Sequence, residues 1–200
     1  MMPQSVGLDV NVLAQRLRRL ATLDTTVFDE VRTDASASIS AILVVAVSVL
    51  LSGLGGWLWW IFGGYPNAGD IFVRSMIIGS IIALGLWVVW VAMVYVVLAQ
   101  IFRARLDMYE LGRVMGFAAA PLSLGVLMCV HRLDFGIGLA VLALLFGTNQ
   151  IAIQSSTDAS PAKVLVANAA GFAVWAIVLN LLVTAQNAYA PGVFIFAPVG

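Results

Sequence analysis

Two stretches of the sequence, residues 39–62 and 75–99, contain no charged side chain over 24 and 25 positions. The hydrocarbon core of a bilayer is about 30 Å thick, and a helix rising about 1.5 Å per residue crosses it in about 20 residues. Each stretch is therefore long enough to span a membrane, and the second is long enough to predict a tilted helix. This feature constrains the fold more than any other.

Three shorter windows are also apolar enough to span. The five predicted spans are residues 39–62, 75–99, 114–130, 135–153 and 164–184. All are too long for a transmembrane β-strand and lack its period of two, so the fold class is predicted to be all-α, a polytopic transmembrane bundle. The predicted organisation is an N-terminal segment, 1–38, a five-helix membrane domain, 39–186, and a short external tail, 187–200.

Composition excludes several other classes of protein. Only 10% of the residues are charged and 62% are apolar, against about 25% and 45–50% in soluble domains, which excludes an ordinary soluble enzyme. A net charge of zero without a basic block argues against nucleic acid as a partner. The single cysteine cannot form an internal disulfide, which excludes a disulfide-stapled secreted domain.

The basic residues predict the orientation of the chain. Arg74 and Arg132 lie at one end of the predicted bundle, and the other eight lie at the opposite end: Arg16, Arg18, Arg19, Arg32, Arg103, Arg105, Arg113 and Lys163. Because basic residues concentrate on the cytoplasmic side, this distribution predicts a cytoplasmic N-terminus and an external C-terminus. In a prokaryote the location would be the cytoplasmic (inner) membrane.

Residues 9–23 are predicted to form an amphipathic helix. Val10, Leu13, Leu17 and Leu20 recur at helical spacing, and the basic side chains fall largely on the opposite face: Arg16, Arg18 and Arg19. Such a helix is expected to bind an anionic leaflet, each arginine contributing about 1 kcal/mol. The alternative is that it packs on the cytoplasmic loops of the bundle. A short helix through Val31 is predicted to follow as an elbow.

The loop before the third span carries a second group of charges. Asp107 is predicted to cap a helix, and Glu110 and Arg113 lie one turn apart and are expected to pair. These charges are more typical of a solvated face than of a site.

Three segments resemble one family of membrane proteins. The run 109–121 begins at Tyr109 and Glu110 and contains Gly116, Phe117 and Pro121. In sequence and in the spacing of these last three residues it is similar to the motif that opens the third span of Yip1-domain proteins of the prokaryotic type. Residues 153–163 resemble the family's connection before its last span, and residues 27–31 resemble its lead into the first. Together with the five predicted spans and the cytoplasmic N-terminus, the resemblance covers roughly residues 20–186.

This resemblance does not extend to the eukaryotic Golgi members. Their long proline-rich N-terminal region and their Asp-Leu-Tyr-Gly-Pro signature are absent from this chain. Their roles with Rab GTPases and in vesicle transport are therefore not expected here.

Pro121 is predicted to interrupt its helix near Phe117, because proline has no backbone N–H. The small residues around it predict a kinked packing seam with a neighbouring helix: Gly112, Gly116, Ala120 and Gly125. The alternative is a kink that opens a lipid-facing groove or a hinge.

The amides at the ends of the fourth and fifth predicted spans lie at similar depth: Asn149, Gln150, Gln154 and Asn168. They are expected to bond across the two helices, at about 0.6 kcal/mol for each bond. The alternative is a small polar pocket bordered by Glu110 and Arg113.

No catalytic, cofactor-binding or metal site is predicted. Zinc requires at least three ligands, and the chain contains one histidine, His131, and one cysteine, Cys129. No predicted window contains a charged residue, whereas ion-coupled transporters normally keep such residues near the midplane.

The favoured function is a non-enzymatic scaffold that organises lipid or recruits protein partners, with the bilayer and a protein partner or a second copy as expected contacts. The alternative is an accessory or assembly subunit packed against a larger membrane complex. A small channel or carrier is the third hypothesis.

Overall fold

The computed structural model describes residues 9–184 and 189–194. Across these residues the chain forms helices and loops and no β-strand, which confirms the all-α prediction. Two short helices come first, α1 (Val10–Ala21) and α2 (Thr26–Thr33). Five long helices follow: α3 (Ala37–Phe62), α4 (Ala68–Ile101), α5 (Met108–Cys129), α6 (Asp134–Ser155) and α7 (Pro161–Thr184).

The five long helices are each long and apolar enough to cross a membrane, so the predicted number of spans is confirmed. Most of the predicted bounds were too short. α4 begins seven residues before its predicted start and α5 six residues before, so the helices include Arg74 and Glu110. Hydropathy windows stop at a charge, whereas a helix continues through charges at headgroup depth, where they remain hydrated.

Successive spans run in opposite directions, so the bundle has two faces. The face that carries α1 and α2 holds the starts of α3, α5 and α7, and we refer to it as the N-terminal face. The other, the opposite face, holds the α3–α4 and α5–α6 connections.

The predicted interruption before Pro121 is present, and it changes the type of helix. α5 is α-helical over Met108–Ala118 and a 3₁₀-helix over Ala120–Cys129. A 3₁₀-helix rises about 2.0 Å per residue instead of about 1.5 Å. This longer rise explains how the shortest predicted window crosses the same thickness as its neighbours. α4 contains π-helical stretches, Phe72–Gly79 and Val96–Ile101.

The predicted small-residue seam joins α5 to α3. A Cβ built on Gly116 would lie 2.7 Å from the Ala41 Cβ, and one built on Gly125 would lie 2.7 Å from the Ser52 Oγ. A Cβ built on Gly112 would meet open space, so its predicted place in the seam was wrong. Helices approach this closely only where neither backbone carries a bulky side chain.

The centre of the bundle is aromatic. Trp90 on α4 and Trp175 on α7 are buried with ring centroids 5.9 Å apart, and Phe172 packs against both. The Trp175 indole donates a hydrogen bond to the Ala83 carbonyl at 3.2 Å. These contacts hold α4 and α7 together.

Residues 189–194, part of the predicted external tail, fold back into the bundle. Ser75 Oγ donates to the Ala190 carbonyl at 2.8 Å, and the ring of Phe194 packs 5.5 Å from that of Trp175. Gly192 lies against Ser52 and Gly56, which are ten and six residues from the end of α3, about 9–15 Å inside the bundle. Apolar side chains drive this return, because Val193 and Phe194 are buried. The rest of the predicted tail, 187–188 and 195–200, and residues 1–8 lie outside the described residues.

Candidate functional site at the N-terminal face

Arg16 on α1 forms ion pairs with two carboxylates that follow it. Its Nε lies 2.9 Å from the Glu30 Oε1 and its Nη2 lies 2.7 Å from the Asp34 Oδ2, and its side chain is only 8% exposed. Arg19 extends the network, with its Nε 2.8 Å from the Asp24 Oδ2 and its Nη1 2.7 Å from the Glu30 Oε2. These five residues form what we call the ion-pair network.

The network keeps its carboxylates ionised. Hydrogen bonds from the Thr26 hydroxyl and from Arg19 lower the pKa of Asp24 to about 2. Hydrogen bonds from Arg16 and Arg19 lower the pKa of Glu30. Burial works to raise the pKa of Asp34, but hydrogen bonds from Ser36 and Arg16 outweigh it, so that pKa is also lowered. Near neutral pH the three carboxylates of the network are therefore ionised and face the guanidinium groups of Arg16 and Arg19.

The pairing contradicts the prediction that α1 presents three arginines to an anionic leaflet. Arg16 and Arg19 bond to side chains of this chain, and Arg18 is the one of the three that is exposed. The alternative, packing on the bundle itself, describes the structure. Carboxylates 5 to 18 positions away along the chain bind the guanidinium groups of Arg16 and Arg19.

The apolar side of α1 packs on α2 and the bundle. Leu13, Leu17 and Leu20 contact the cluster that contains Phe28 and Phe117, both of which are buried. Asp9 begins the helix, its carboxylate accepting from the Asn11 N–H at 3.0 Å and the Val12 N–H at 3.3 Å. Charge and apolar packing together fix α1 on the bundle.

Arg113 attaches α2 to α5. The predicted pair between Arg113 and Glu110 does not form. The Arg113 Nη2 donates to the Arg32 carbonyl at 2.5 Å, close to the end of α2, where carbonyls lack helical partners. Asp107 caps α5 as predicted, accepting from the Tyr109 and Glu110 N–H groups at 2.9 Å each. The Tyr109 side chain follows directly and is 79% exposed.

The predicted bond between the amides of the last two spans forms for one pair. Asn168 Nδ2 donates to the Gln150 Oε1 and to the Phe146 carbonyl, each at 3.2 Å, and Asn168 is fully buried. Asn149 donates within its own helix, to the Leu145 carbonyl at 2.8 Å. Asn168 therefore links α6 to α7, and Asn149 does not.

An apolar groove opens beside Pro121, where the helix type of α5 changes. Its volume is 470 Å³, and its walls come from α1, α2, α5 and α6: Leu17, Leu20, Phe28, Phe117, Leu124, Leu144 and Thr148 among others. A smaller groove of 220 Å³ lies between α1, α3 and α5. Leu17, Ala120 and Ser123 line both, so the two grooves lie on either side of the crossing of α1 and α5.

An aromatic cluster lies on the opposite face. Trp59 Nε1 donates to the Asp134 Oδ2 at 2.8 Å, and the His131 ring stacks on Trp59 at 4.7 Å between centroids, nearly parallel. Tyr65 stacks on Trp59 as well, at 5.3 Å. The role of Asp134 was missed, since it depends on a contact between residues 75 positions apart.

Among the described residues, no three His, Cys, Asp or Glu side chains lie together in a way that holds a metal ion. No protein-family model, curated protein or solved structure matches this chain.

Proposed function

We propose that this protein is a non-enzymatic, multi-pass membrane scaffold that resembles the prokaryotic Yip1-domain type and presents its N-terminal face to the cytoplasm. The ion-pair network is the observation that carries this proposal. It fastens α1 to α2, Arg113 fastens α2 to α5, and Tyr109 lies exposed at the same face. A fixed surface of this kind suits recruitment of a protein partner.

The burial of charge also supports a role without catalysis or ion coupling. Of the described residues, Arg16 is the buried charged side chain, and it lies on α1 in an ion pair, outside the five spans. Ionisable groups that perform chemistry in a membrane normally lie within its spans. The long helices here bury serines and asparagines instead.

A second candidate, an accessory subunit of a larger membrane complex, is favoured by the surface of α4. Only 28% of its most apolar stretch is buried within the chain, against 56% for α5. Ile81 and Val88 are more than half exposed. Either lipid or a partner helix covers this side in the membrane.

Photo-crosslinking in native membranes separates the two candidates. A benzophenone amino acid replaces Tyr109 on the N-terminal face, Ile81 on α4 or Phe62 near the opposite face, all of which are exposed. A recruiting scaffold forms a discrete protein adduct from position 109 and lipid adducts from position 81. An accessory subunit forms a stoichiometric protein adduct from position 81. Position 62 is the control. Absence of protein adducts from positions 109 and 81 would contradict both candidate functions.

The channel or carrier hypothesis has its own test. Solute flux into proteoliposomes that is abolished by Asn168→Leu or Asn149→Leu would overturn the scaffold role, since these are the buried amides of the spans.

A further inference from the structure

The larger groove beside Pro121 opens onto the side of the bundle. Leu124, Leu144 and Ile151 line it and are each between two- and three-fifths exposed, on spans whose outer surface lies in lipid. The groove is therefore continuous with the lipid-facing surface. Its volume of 470 Å³ lies within the range of sites that hold small ligands.

Most polar side chains that line the groove are already paired, and the exception is the exposed Thr25, which makes no capping bond at the start of α2. The Thr148 hydroxyl lies 2.8 Å from the Ala118 carbonyl and 2.8 Å from that of Leu144, and the Ser123 hydroxyl donates to the Ala120 carbonyl at 2.7 Å. Asp24, at the rim, is paired with Arg19. Binding in this groove therefore depends mainly on apolar contact between the occupant and the groove wall.

We propose that this groove binds one acyl chain of a membrane phospholipid, beneath helix α1. The chain would enter from the bilayer between α5 and α6 and contact Leu17 and Leu20 of α1 as its roof. Because Arg16 and Arg19 are already paired with carboxylates of this chain, the acyl chain is recognised and the headgroup is not. This inference requires only that the protein lies in a bilayer, and it does not depend on the scaffold role.

The roof of the groove depends on the ion-pair network. Arg16 and Leu17 are neighbours on α1, and Arg16 holds the helix to Glu30 and Asp34. If α1 leaves the bundle, the groove loses one wall and its apolar surface is exposed. Lipid retention and the attachment of α1 are therefore coupled.

The test is native mass spectrometry of the purified full chain with added palmitoyl-oleoyl phosphatidylcholine. Leu144→Trp fills the groove from its exposed edge, and Leu139→Trp places the same side chain on the exposed surface of α6, outside the groove. We expect Leu144→Trp to lower lipid retention about tenfold, the equivalent of about 1.4 kcal/mol, and Leu139→Trp to leave it unchanged. Equal retention by both variants would overturn the proposal.

Two further measurements keep the result independent of folding. Arg16→Gln should lower lipid retention and Arg18→Gln should not, with both variants monodisperse by size exclusion.

A phosphatidylcholine with a diazirine on its acyl chain should label peptides of α1 and α2 in the wild type, and this labelling should be lost in Leu144→Trp. A strong preference for phosphatidylglycerol over phosphatidylcholine would show that the headgroup is recognised and would overturn chain recognition. A protein bound in the groove in place of lipid would do the same.

Discussion

Gly55 on α3 and the Gly125–Val126 peptide of α5 lie in backbone contact. A Cβ built on Gly55 would lie 2.7 Å from the Val126 Cα and 2.8 Å from the Gly125 carbonyl carbon. Real Cβ atoms do not approach a backbone this closely, so any side chain at position 55 forces the two spans apart.

Gly55→Ala is therefore expected to destabilise the bundle by about 1–3 kcal/mol, the usual cost of overpacking. Gly85→Ala, on α4, is the matched control, because a Cβ there meets open space. It should raise stability slightly through the higher helix propensity of alanine. The measurement is the free energy of unfolding in mixed micelles, and equal effects of the two substitutions would contradict the α3–α5 contact.

Arg16→Gln is expected to release α1 from the bundle, since it leaves Glu30 and Asp34 without their shared partner. Both carboxylates are partly exposed, which limits the cost to about 1–2 kcal/mol, and amide exchange over residues 10–34 should rise about tenfold. Arg18→Gln, at an exposed position of the same helix, should leave exchange unchanged. Equal protection in the two variants would show that the ion pairs do not hold α1.

Acidic pH should weaken the attachment of α1 to the bundle. The folded-state pKa values of Asp24, Glu30 and Asp34 are lowered, that of Asp24 to about 2. A carboxylate whose pKa is lowered by folding stabilises the folded state. This stabilisation is complete above the ordinary carboxyl pKa, near 4, and is lost as the pH falls through the pKa of the folded state. Attachment should stay constant from pH 7 to about 4 and weaken between about 4 and 2.

Spin labels at Gln15 and Thr33, both exposed, report this change as a distance measured in micelles. Asp24→Asn is the control, since it should weaken attachment already at pH 7 and flatten the pH profile. Detachment between pH 7 and 5 would exclude these carboxylates as its cause.

Asn168→Leu should cost about 0.6 kcal/mol of unfolding free energy, because it removes the bond between α6 and α7 and leaves the Gln150 Oε1 without its donor. Asn149→Leu is the matched comparison at an equally buried amide. It should cost less stability than Asn168→Leu, since the bond lost there lies within α6. A larger loss for Asn149→Leu would reverse the assignment of the interhelix bond.

The parts of the fold predicted from the sequence depend on local physics. The five spans follow from hydropathy, the cap at Asp107 from the residues just after it, and the helix change before Pro121 from a missing N–H. The partners of Arg16 are 14 and 18 residues away, so helical spacing alone did not reveal them. The acidic residues at positions 24, 29, 30 and 34 were the available signal, because they equal in number the four arginines of residues 16–34.

The groove was predicted only as an alternative to the packing seam, and both are present on different sides of α5. Gly116 and Gly125 face α3, whereas Phe117 and Pro121 line the groove. Proline and small residues in one helix indicate a break and close packing, but they do not indicate which neighbour leaves space beside the break. That depends on where α1 and α2 lie, which is a tertiary property.

The return of residues 189–194 into the bundle has a consequence for biogenesis. Ser75 and Gly79 of the second span meet Ala190, so that span keeps an open flank until the residues after the fifth span have been synthesised. During this interval the Ser75 hydroxyl would lack its bond to the Ala190 carbonyl, and the space beside Gly79 would lack the backbone that fills it. Residues 189–194, which follow the fifth span, thus complete the interior begun by the first two spans, and insertion machinery that shields partly made bundles would have to hold this one until they emerge.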